Sequence, residues 1–319
     1  MTMKTKELPT DAGKRRRKNA LGAHNDKAYC MMALPGALHC IIFCYIPLIG
    51  ILIAFKDIDY SLGILKSPWC GLRNFAFLFK NPDTFTIFRN TICYGAVGIV
   101  LGAICPVAMA IAFTKLMSKR TSKVYQTIAM LPNFISWIVV SYIVLSFLDY
   151  NYGVINHLLI RFGAEPVDWY ATIKPWPYIL VLLPLWKSLG YSSVVYTASI
   201  AGIDSSLYEA AAIDGATPRQ QTRYITLPQL ANIIVIMLIM NIGQLISSNF
   251  DLFYTVPKES GALFPVTNVI NTFVYRALRI NNDIGMSSAA GLLQSVVGFI
   301  LVVTSNFIVK KIDEDKAMF

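Results

Sequence analysis

The stretch that decides the fold is residues 91–114, which reads TICYGAVGIVLGAICPVAMAIAFT. It contains no Asp, Glu, Lys or Arg. A helix that rises about 1.5 Å per residue needs about 20 such residues to cross the hydrocarbon core of a bilayer. Because lipid offers no hydrogen-bond partners, the backbone of such a segment must satisfy itself within a helix. The stretch therefore predicts a transmembrane helix.

Five further stretches share this length and apolar character. The six predicted spans are 28–55, 91–114, 124–147, 175–200, 229–250 and 284–309. Five of them carry no charged side chain, and the fourth carries only Lys187. Buried helices of soluble proteins seldom run so far without a charge. With 55% hydrophobic and 14% charged residues, the chain is predicted to be an all-α integral membrane protein with six transmembrane helices.

The distribution of Lys and Arg predicts the orientation. With six spans, both ends lie on one side, and the segments on that side are 1–27, 115–123, 201–228 and 310–319. These segments hold 17 Lys or Arg, against 10 in the opposite segments 56–90, 148–174 and 251–283. Cytoplasmic segments are the basic ones in membrane proteins, so both termini are predicted to be cytoplasmic in a bacterial inner membrane. The predicted organisation is a basic tail over 1–27, a six-span domain over 28–309 and a short tail over 310–319.

The formal net charge of +10 and the basic run at 15–18 suggest two different partners. One is nucleic acid, but no interleaved aromatic residues or binding module accompany the run. The other is membrane lipid, because a basic tail before a first span orients that span and contacts anionic headgroups. We therefore expect contact with lipid and no nucleic-acid binding. The 6 cysteines and 3 histidines show no metal-binding spacing, so no metal site is predicted.

The predicted cytoplasmic loop 201–228 has the pattern of two short helices. Ser206 with Glu209 fits a capping box, although Asp204 or Ser205 could be the cap instead. Gly215 follows at a position where helices end in the left-handed conformation. A second helix then begins with Thr217 as the cap, Pro218 in its first position and Gln220 completing a capping box. Such a projecting pair could enter a groove of another protein or form a structured connector, and residue chemistry alone leaves both readings open.

The run 209–216, EAAAIDGA, followed by ITLP at 225–228, resembles the EAA loop of permeases of binding-protein-dependent ABC importers. The family pattern is E-A-A, three residues, G, nine residues, I-x-L-P, and every anchor is met. The Asp-Gly-Ala form at 214–216 is similar to the carbohydrate branch. Further resemblance to permeases for complex oligosaccharides lies at 34–35, 45–47, 50, 54–57, 71–75, 89–91 and 131–132. The segment from about 148 to 175 carries no motif that adds to this resemblance.

The resemblance implies a type I ABC importer (MetI-like) permease fold and ATP-driven import of oligosaccharides. In that family two permeases pair, and each docks its EAA helix into a nucleotide-binding subunit. The implied partners are a second, different permease, two ATP-binding subunits and an extracytoplasmic sugar-binding protein. The coupling residues implied by the resemblance are Glu209, Ala210, Ala211, Asp214, Gly215, Arg219 and Arg223.

The chain has no phosphate-binding loop of the form GxxxxGK[ST]. ATP and magnesium are therefore expected on partner subunits, and the chain itself is expected to bind no cofactor and to be no enzyme. The alternative is a secondary transporter for a small polar solute. Against it, the predicted spans hold no Asp or Glu for ion coupling, and no internal repeat is evident.

Polar and aromatic residues within the predicted spans are candidates for the substrate pathway. They are Lys187, Trp186, Tyr191, Asn241, Gln244 and Ser248. Lys187 lies about 12 residues from either end of its span, which favours the pathway or an internal ion pair over snorkelling. Gln244 and Ser248 would share a helix face and could bind sugar hydroxyls or join two helices. The two aromatic rings could stack on sugars or simply pack.

Overall fold

The computed structural model describes residues 29–76, 82–116, 118–280 and 282–313. The predicted tail 1–27 and the end of the chain from residue 314 lie outside this range. The chain forms two compact units, Met1–Ile53 and Ala54–Phe319. In the first unit the described residues belong to helix α1, Tyr29–Phe55. This helix changes to π geometry at Ile41–Tyr45 and to 3₁₀ geometry at Ile46–Phe55.

The second unit is built from helices without β-strands in its described part. Within the described residues, the helices of six residues or more are α2 (Thr84–Thr114), α3 (Lys119–Phe134), α4 (Trp137–Leu148), α5 (Val154–Arg161), α6 (Trp176–Ala201), α7 (Ser205–Ile213), α8 (Pro218–Gly243), α9 (Phe250–Thr255), α10 (Ile270–Arg279) and α11 (Ile284–Ile312). Two single-turn α-helices, Gly63–Lys66 and Phe264–Thr267, lie in the connections. Of the described helices, five, α1, α2, α6, α8 and α11, are long and apolar enough to cross a membrane. The pair α3 and α4 makes a sixth crossing if it counts as one span.

The predicted third span, 124–147, is not one straight helix, and that expectation is corrected. Helices α3 and α4 meet at 96°. Ile135 leaves the helical conformation, and the side chain of Ser136 accepts a hydrogen bond from the Val139 N–H at 3.3 Å. Pro132 in the last turn of α3 lacks an N–H to continue the helical ladder. A weakened end followed by an N-cap therefore produces an elbow at 135–136.

The predicted fifth span, 229–250, also needs correction, because α8 ends at Gly243. Residues 244–249 form turns, and Asn249 caps α9 by accepting from the Leu252 N–H at 3.2 Å. Gln244 and Ser248 therefore do not share a helix face. Carbonyl groups released by the unwinding are paired with side chains of other helices. Gln294 donates to the Ile246 carbonyl at 3.2 Å, and Asn271 donates to the Ser248 carbonyl.

The start of α2 holds the connection between α9 and α10. The Asn90 amide is buried and donates to the carbonyls of Pro265 and Asn268, both at 3.0 Å. The Thr91 hydroxyl accepts from the Ile270 N–H at 3.1 Å. The Asn90 amide and the Thr91 hydroxyl thus pair with backbone groups in and just after the single-turn helix Phe264–Thr267, so they fix this connection against a long helix.

Residues 148–175 fold around a buried asparagine. The Asn156 side chain donates to the Val167 carbonyl at 2.9 Å and accepts from the Val167 N–H at 3.1 Å. It also accepts from the Trp169 indole at 2.9 Å. The Trp176 indole in turn donates to the Trp169 carbonyl at 2.7 Å. This network anchors α5 and its loop to the first residue of α6.

Candidate coupling helix and substrate pathway

Helix α7 begins at a side-chain cap. The Asp204 carboxylate accepts from the Ser206 N–H at 2.9 Å, and the helix starts at Ser205. Of the three caps that the sequence left open, the structure has Asp204, and Ser206 with Glu209 does not form the capping box. The backbone hydrogen bond from Ser206, with a further one from its side chain, lowers the pKa of Asp204 below 3.8. The carboxylate is ionised at neutral pH and stands at the positive end of the helix dipole.

Helix α7 ends in a Schellman motif, as the glycine predicted. The Ala216 N–H donates to the Ala211 carbonyl at 2.8 Å, and the Gly215 N–H donates to the Ala212 carbonyl at 3.1 Å. Gly215 has φ of +78°, and a Cβ placed there would have open space within 4 Å. A side chain at this position would therefore be strained by the backbone conformation, and its Cβ would meet no neighbour among the described residues.

The second helix of the loop starts as the sequence predicts. Thr217 accepts from the Gln220 N–H at 3.4 Å, and the Gln220 side chain accepts from the Thr217 N–H at 2.7 Å. Pro218 follows the cap, which completes the expected arrangement. The Tyr208 hydroxyl lies 3.0 Å from the hydroxyl of Thr226, so α7 is tied to the first turns of α8.

The predicted coupling residues lie at the surface of the α7–α8 loop and its flanking turns. Six of them are exposed and Ala211 is half-buried; the exposed six are Glu209, Ala210, Asp214, Gly215, Arg219 and Arg223. None of these charged side chains is in a salt bridge within the described ranges. The small side chains of α7 allow close approach of another backbone, and the unpaired charges of both signs can meet complementary charges.

Two apolar residues beside this surface escaped the sequence reasoning. Ile213 is 87% exposed and Tyr224 is 69% exposed. Large exposed apolar side chains flanked by charges are typical of protein interfaces. The sequence signal that could have indicated this interface was an isoleucine at the end of an alanine-rich helix that has no apolar face to bury.

The unwound segment 244–249 lines a cavity of about 180 Å³ together with α2, α6 and α9. Its polar lining residues are Thr91, Tyr94, Gln244, Ser247, Ser248 and Asn249. Among the described residues, none that lines it is charged. The Ser248 hydroxyl is buried and has no hydrogen-bond partner within the described chain. An unpaired buried hydroxyl costs free energy, which a ligand hydroxyl could recover.

A second, more open cavity of about 520 Å³ lies between α8 and α11. Gln244 and Ser247 line both cavities, and Gln294 lines this one. Gln294 also donates to the Asn271 side chain at 2.6 Å. Sequence reasoning missed Asn271 and Gln294, although a polar amide such as Gln294 in the apolar α11 was a usable signal.

The other pathway candidates do not converge on these cavities. Trp186 lines a separate, apolar cavity of about 480 Å³. Lys187 binds backbone carbonyls of α3. Tyr191 is 55% exposed, Asn241 is exposed, and neither lines a cavity described here. Of the six predicted pathway residues, the structure brings together only Gln244 and Ser248.

Comparison with known proteins identifies the fold. The chain is 33% identical over 285 residues to the polygalacturonan/rhamnogalacturonan transport system permease protein YteP of Bacillus subtilis (strain 168), covering 89% of this chain and 88% of YteP. Its structure is similar to that of a bacterial ABC transporter involved in the import of the acidic polysaccharide alginate. The TM-score is 0.83 at 29% identity, with coverage of 93% of this chain and 99% of the other.

A second structure of the alginate transporter, in complex with an alginate pentasaccharide-bound periplasmic protein, gives a TM-score of 0.81 at 29% identity. That match covers 91% of this chain and 96% of the other. The fold is therefore the MetI-like permease fold of type I ABC importers, as the resemblance implied. Residues 98–314 match the family described as the binding-protein-dependent transport system inner membrane component, and the chain belongs to that family.

Proposed function

We propose that this chain is the membrane-spanning subunit of an ATP-driven importer for oligosaccharides delivered by an extracytoplasmic binding protein. The observation that carries the proposal is the exposed helix α7, capped by Asp204 and closed by the Gly215 turn, in a chain of this transport family. A helix that is rigid at both ends and presents small side chains suits insertion into a cleft of another protein.

In this proposal α7 couples ATP hydrolysis to transport. Two ATPase subunits bind ATP and magnesium, and each of the paired permeases places its coupling helix in one of them. Glu209, Ala210, Ala211, Asp214 and Gly215 form the contact, and Arg219 and Arg223 pair with acidic groups of the ATPase. Because α7 is tied to α8 by the Tyr208–Thr226 contact and follows α6 after three residues, a push on α7 reaches both helices.

The proposed orientation puts the α7 loop and both termini in the cytoplasm, with 1–27 and 310–319 as tails flanking the six-span domain. The basic segments support this orientation through the positive-inside rule. The opposite face, which includes the connection between α9 and α10, then meets the binding protein. The second permease is expected to be a different polypeptide.

The substrate class is supported by the chemistry of the cavity around 244–249. Hydroxyl and amide groups line it beside the aromatic rings of Tyr94 and Phe253, and the described part of its lining carries no charge. Such a lining binds sugar hydroxyls and sugar faces rather than ions. The similarity to YteP and to the alginate transporter supports an oligosaccharide. A secondary transporter is not favoured, because the described membrane-spanning helices hold no Asp or Glu to couple an ion.

The proposal is tested by purifying the tagged chain in mild detergent and assaying for a co-purifying ATPase. Gly215→Arg places a bulky charge on the proposed contact. Gly163→Arg is the matched control, because Gly163 is also exposed, has φ of +79° and has open space around its Cβ position.

Wild type and Gly163→Arg are expected to retain the ATPase, whereas Gly215→Arg loses it while staying in the membrane. If wild type retains no ATPase, or if both variants lose it equally, the proposed coupling role is contradicted.

A further inference from the structure

Lys187 lies in the middle of α6, but its ammonium group binds the C-terminal end of α3. Its Nζ donates to the Asn133 carbonyl at 2.7 Å and to the Pro132 carbonyl at 3.4 Å. Both carbonyls belong to the last turn of α3, where the helical ladder runs out of donors. The Pro132 carbonyl also accepts from the Ile135 N–H at 3.2 Å, so the Asn133 carbonyl is the main acceptor for Lys187. A cation at this end also interacts favourably with the helix dipole. Lys187 therefore acts as a C-terminal cap of α3 that another helix supplies.

The same ammonium group reaches the first residue of α4. Its Nζ lies 5.6 Å from the centroid of the Trp137 ring, within the range of cation–π attraction. Only Ile135 and Ser136 separate the two helices at their 96° elbow. One side chain of α6 thus contacts both arms of the elbow.

One turn further along α6, the backbones of α6 and α3 touch. A Cβ on Gly190 would lie 2.0 Å from the Ala129 carbonyl oxygen, so only glycine fits this crossing. Ala129 is in turn about one helical turn before Asn133. Two contacts a turn apart on both helices fix the distance between them and hold the elbow against α6.

Helix α6 continues from Lys187 to Ala201, and α7 begins at Ser205. A displacement of α7 therefore reaches Lys187 through about 20 Å of continuous helix. We propose that Lys187 is a positioning residue of the transport cycle, which makes the α3–α4 elbow move together with α6. This inference rests on the proposed coupling role of α7. A pathway role is not favoured, because the ammonium group is bound to α3 and Lys187 does not line the cavity around 244–249.

The test uses the full complex of permeases, ATPases and binding protein in proteoliposomes, with oligosaccharide uptake and ATP hydrolysis measured on the same sample. Lys187→Met removes the charge and the hydrogen bonds at similar length, and Lys187→Arg keeps both. Lys187→Gln removes the charge but keeps a hydrogen-bond donor, and the same assays can be run on it if the methionine variant fails to assemble. Ser188→Ala is the control, because among the described residues the Ser188 hydroxyl bonds within its own helix α6, to the Pro184 carbonyl at 2.8 Å.

A second readout follows the elbow itself. Val124 on α3 and Ile138 on α4 are 56% and 61% exposed. Spin labels on Val124→Cys and Ile138→Cys, in a chain whose 6 native cysteines are replaced by serine, report the distance across the elbow in electron paramagnetic resonance.

We expect Lys187→Met to retain its ATPase but to transport less than about a tenth of the wild-type sugar per ATP, since a hydrogen bond to a charged group shifts such an equilibrium about tenfold or more. The sugar that Lys187→Gln transports per ATP should fall between the values for Lys187→Met and wild type. Lys187→Arg and Ser188→Ala should transport as much sugar per ATP as wild type. The distribution of distances between the two labels should broaden in Lys187→Met and Lys187→Gln, which lose the charge. It should stay unchanged in Lys187→Arg and Ser188→Ala.

Normal coupling in the methionine or glutamine variant, with an unchanged distance distribution, would overturn the inference. A change confined to the KM for sugar would also overturn it, by placing Lys187 on the pathway. Loss of the ATPase from wild type would instead refute the proposed function, so the two failures are distinguishable.

Discussion

Replacing Gly190 with alanine tests the helix packing on which the transmission from α7 depends. The added Cβ would lie 2.0 Å from the Ala129 carbonyl oxygen and 2.2 Å from its carbon. Carbon atoms pack at about 3.5–4.0 Å, so α3 and α6 must separate by roughly 1.5 Å. Overpacking of this kind costs about 1–3 kcal/mol. Alanine recovers about 0.5–1 kcal/mol through its better helix propensity, so the net effect is destabilising.

The assay is thermal unfolding of the purified chain in detergent, followed by tryptophan fluorescence. Gly190→Ala should lower the midpoint by about 2–6 °C. Gly102→Ala in α2 is the matched control, because a Cβ there meets nothing within 4 Å. The control should leave the midpoint unchanged or raise it. Equal midpoints for the two variants would refute the close contact between α3 and α6, and with it the rigid link from α6 to the elbow.

Three further predictions concern the coupling loop and the cavity. Thr217→Ala removes the capping box of α8, costs about 0.5–2 kcal/mol and should weaken ATPase retention, whereas Thr217→Ser should not. Ser248→Ala removes a buried hydroxyl without a partner, so the thermal midpoint of the empty chain should rise while the KM for sugar uptake also rises about fivefold. The lowered pKa of Asp204 means that its cap is fully formed above 3.8 and is lost only as the pH falls through that lowered pKa. ATPase retention should therefore be constant between about pH 5 and 8, and Asp204→Asn should match wild type there; a loss near pH 6 would contradict this.

The sequence predicted the features that depend on local chemistry. Gly215 at the left-handed turn and Thr217 in its capping box are both confirmed, because the residues that form these motifs lie within a few positions of one another. The length and apolarity of α2, α6 and α11 likewise predicted helices that the structure contains.

The errors arose where distant partners decide the conformation. The end of α8 at Gly243 depends on Asn271 and Gln294, which lie 23 and 48 residues from the carbonyls that they bind. Hydropathy does not register such a break, because residues 244–249, QLISSN, carry no charge. The role of Lys187 was similarly hidden, since its main acceptor lies 54 residues away on a helix that bends at its end.

The central claim is that α7 docks into an ATPase subunit, and photocrosslinking tests this contact directly. A photoreactive phenylalanine analogue at Ile213, which is 87% exposed at the end of α7, should crosslink in native membranes to a protein that carries a nucleotide-binding site. The same analogue at Leu65, 77% exposed in the segment before α2, should not. Crosslinks from Ile213 to lipid alone, or equal capture of the ATPase from Leu65, would contradict the account.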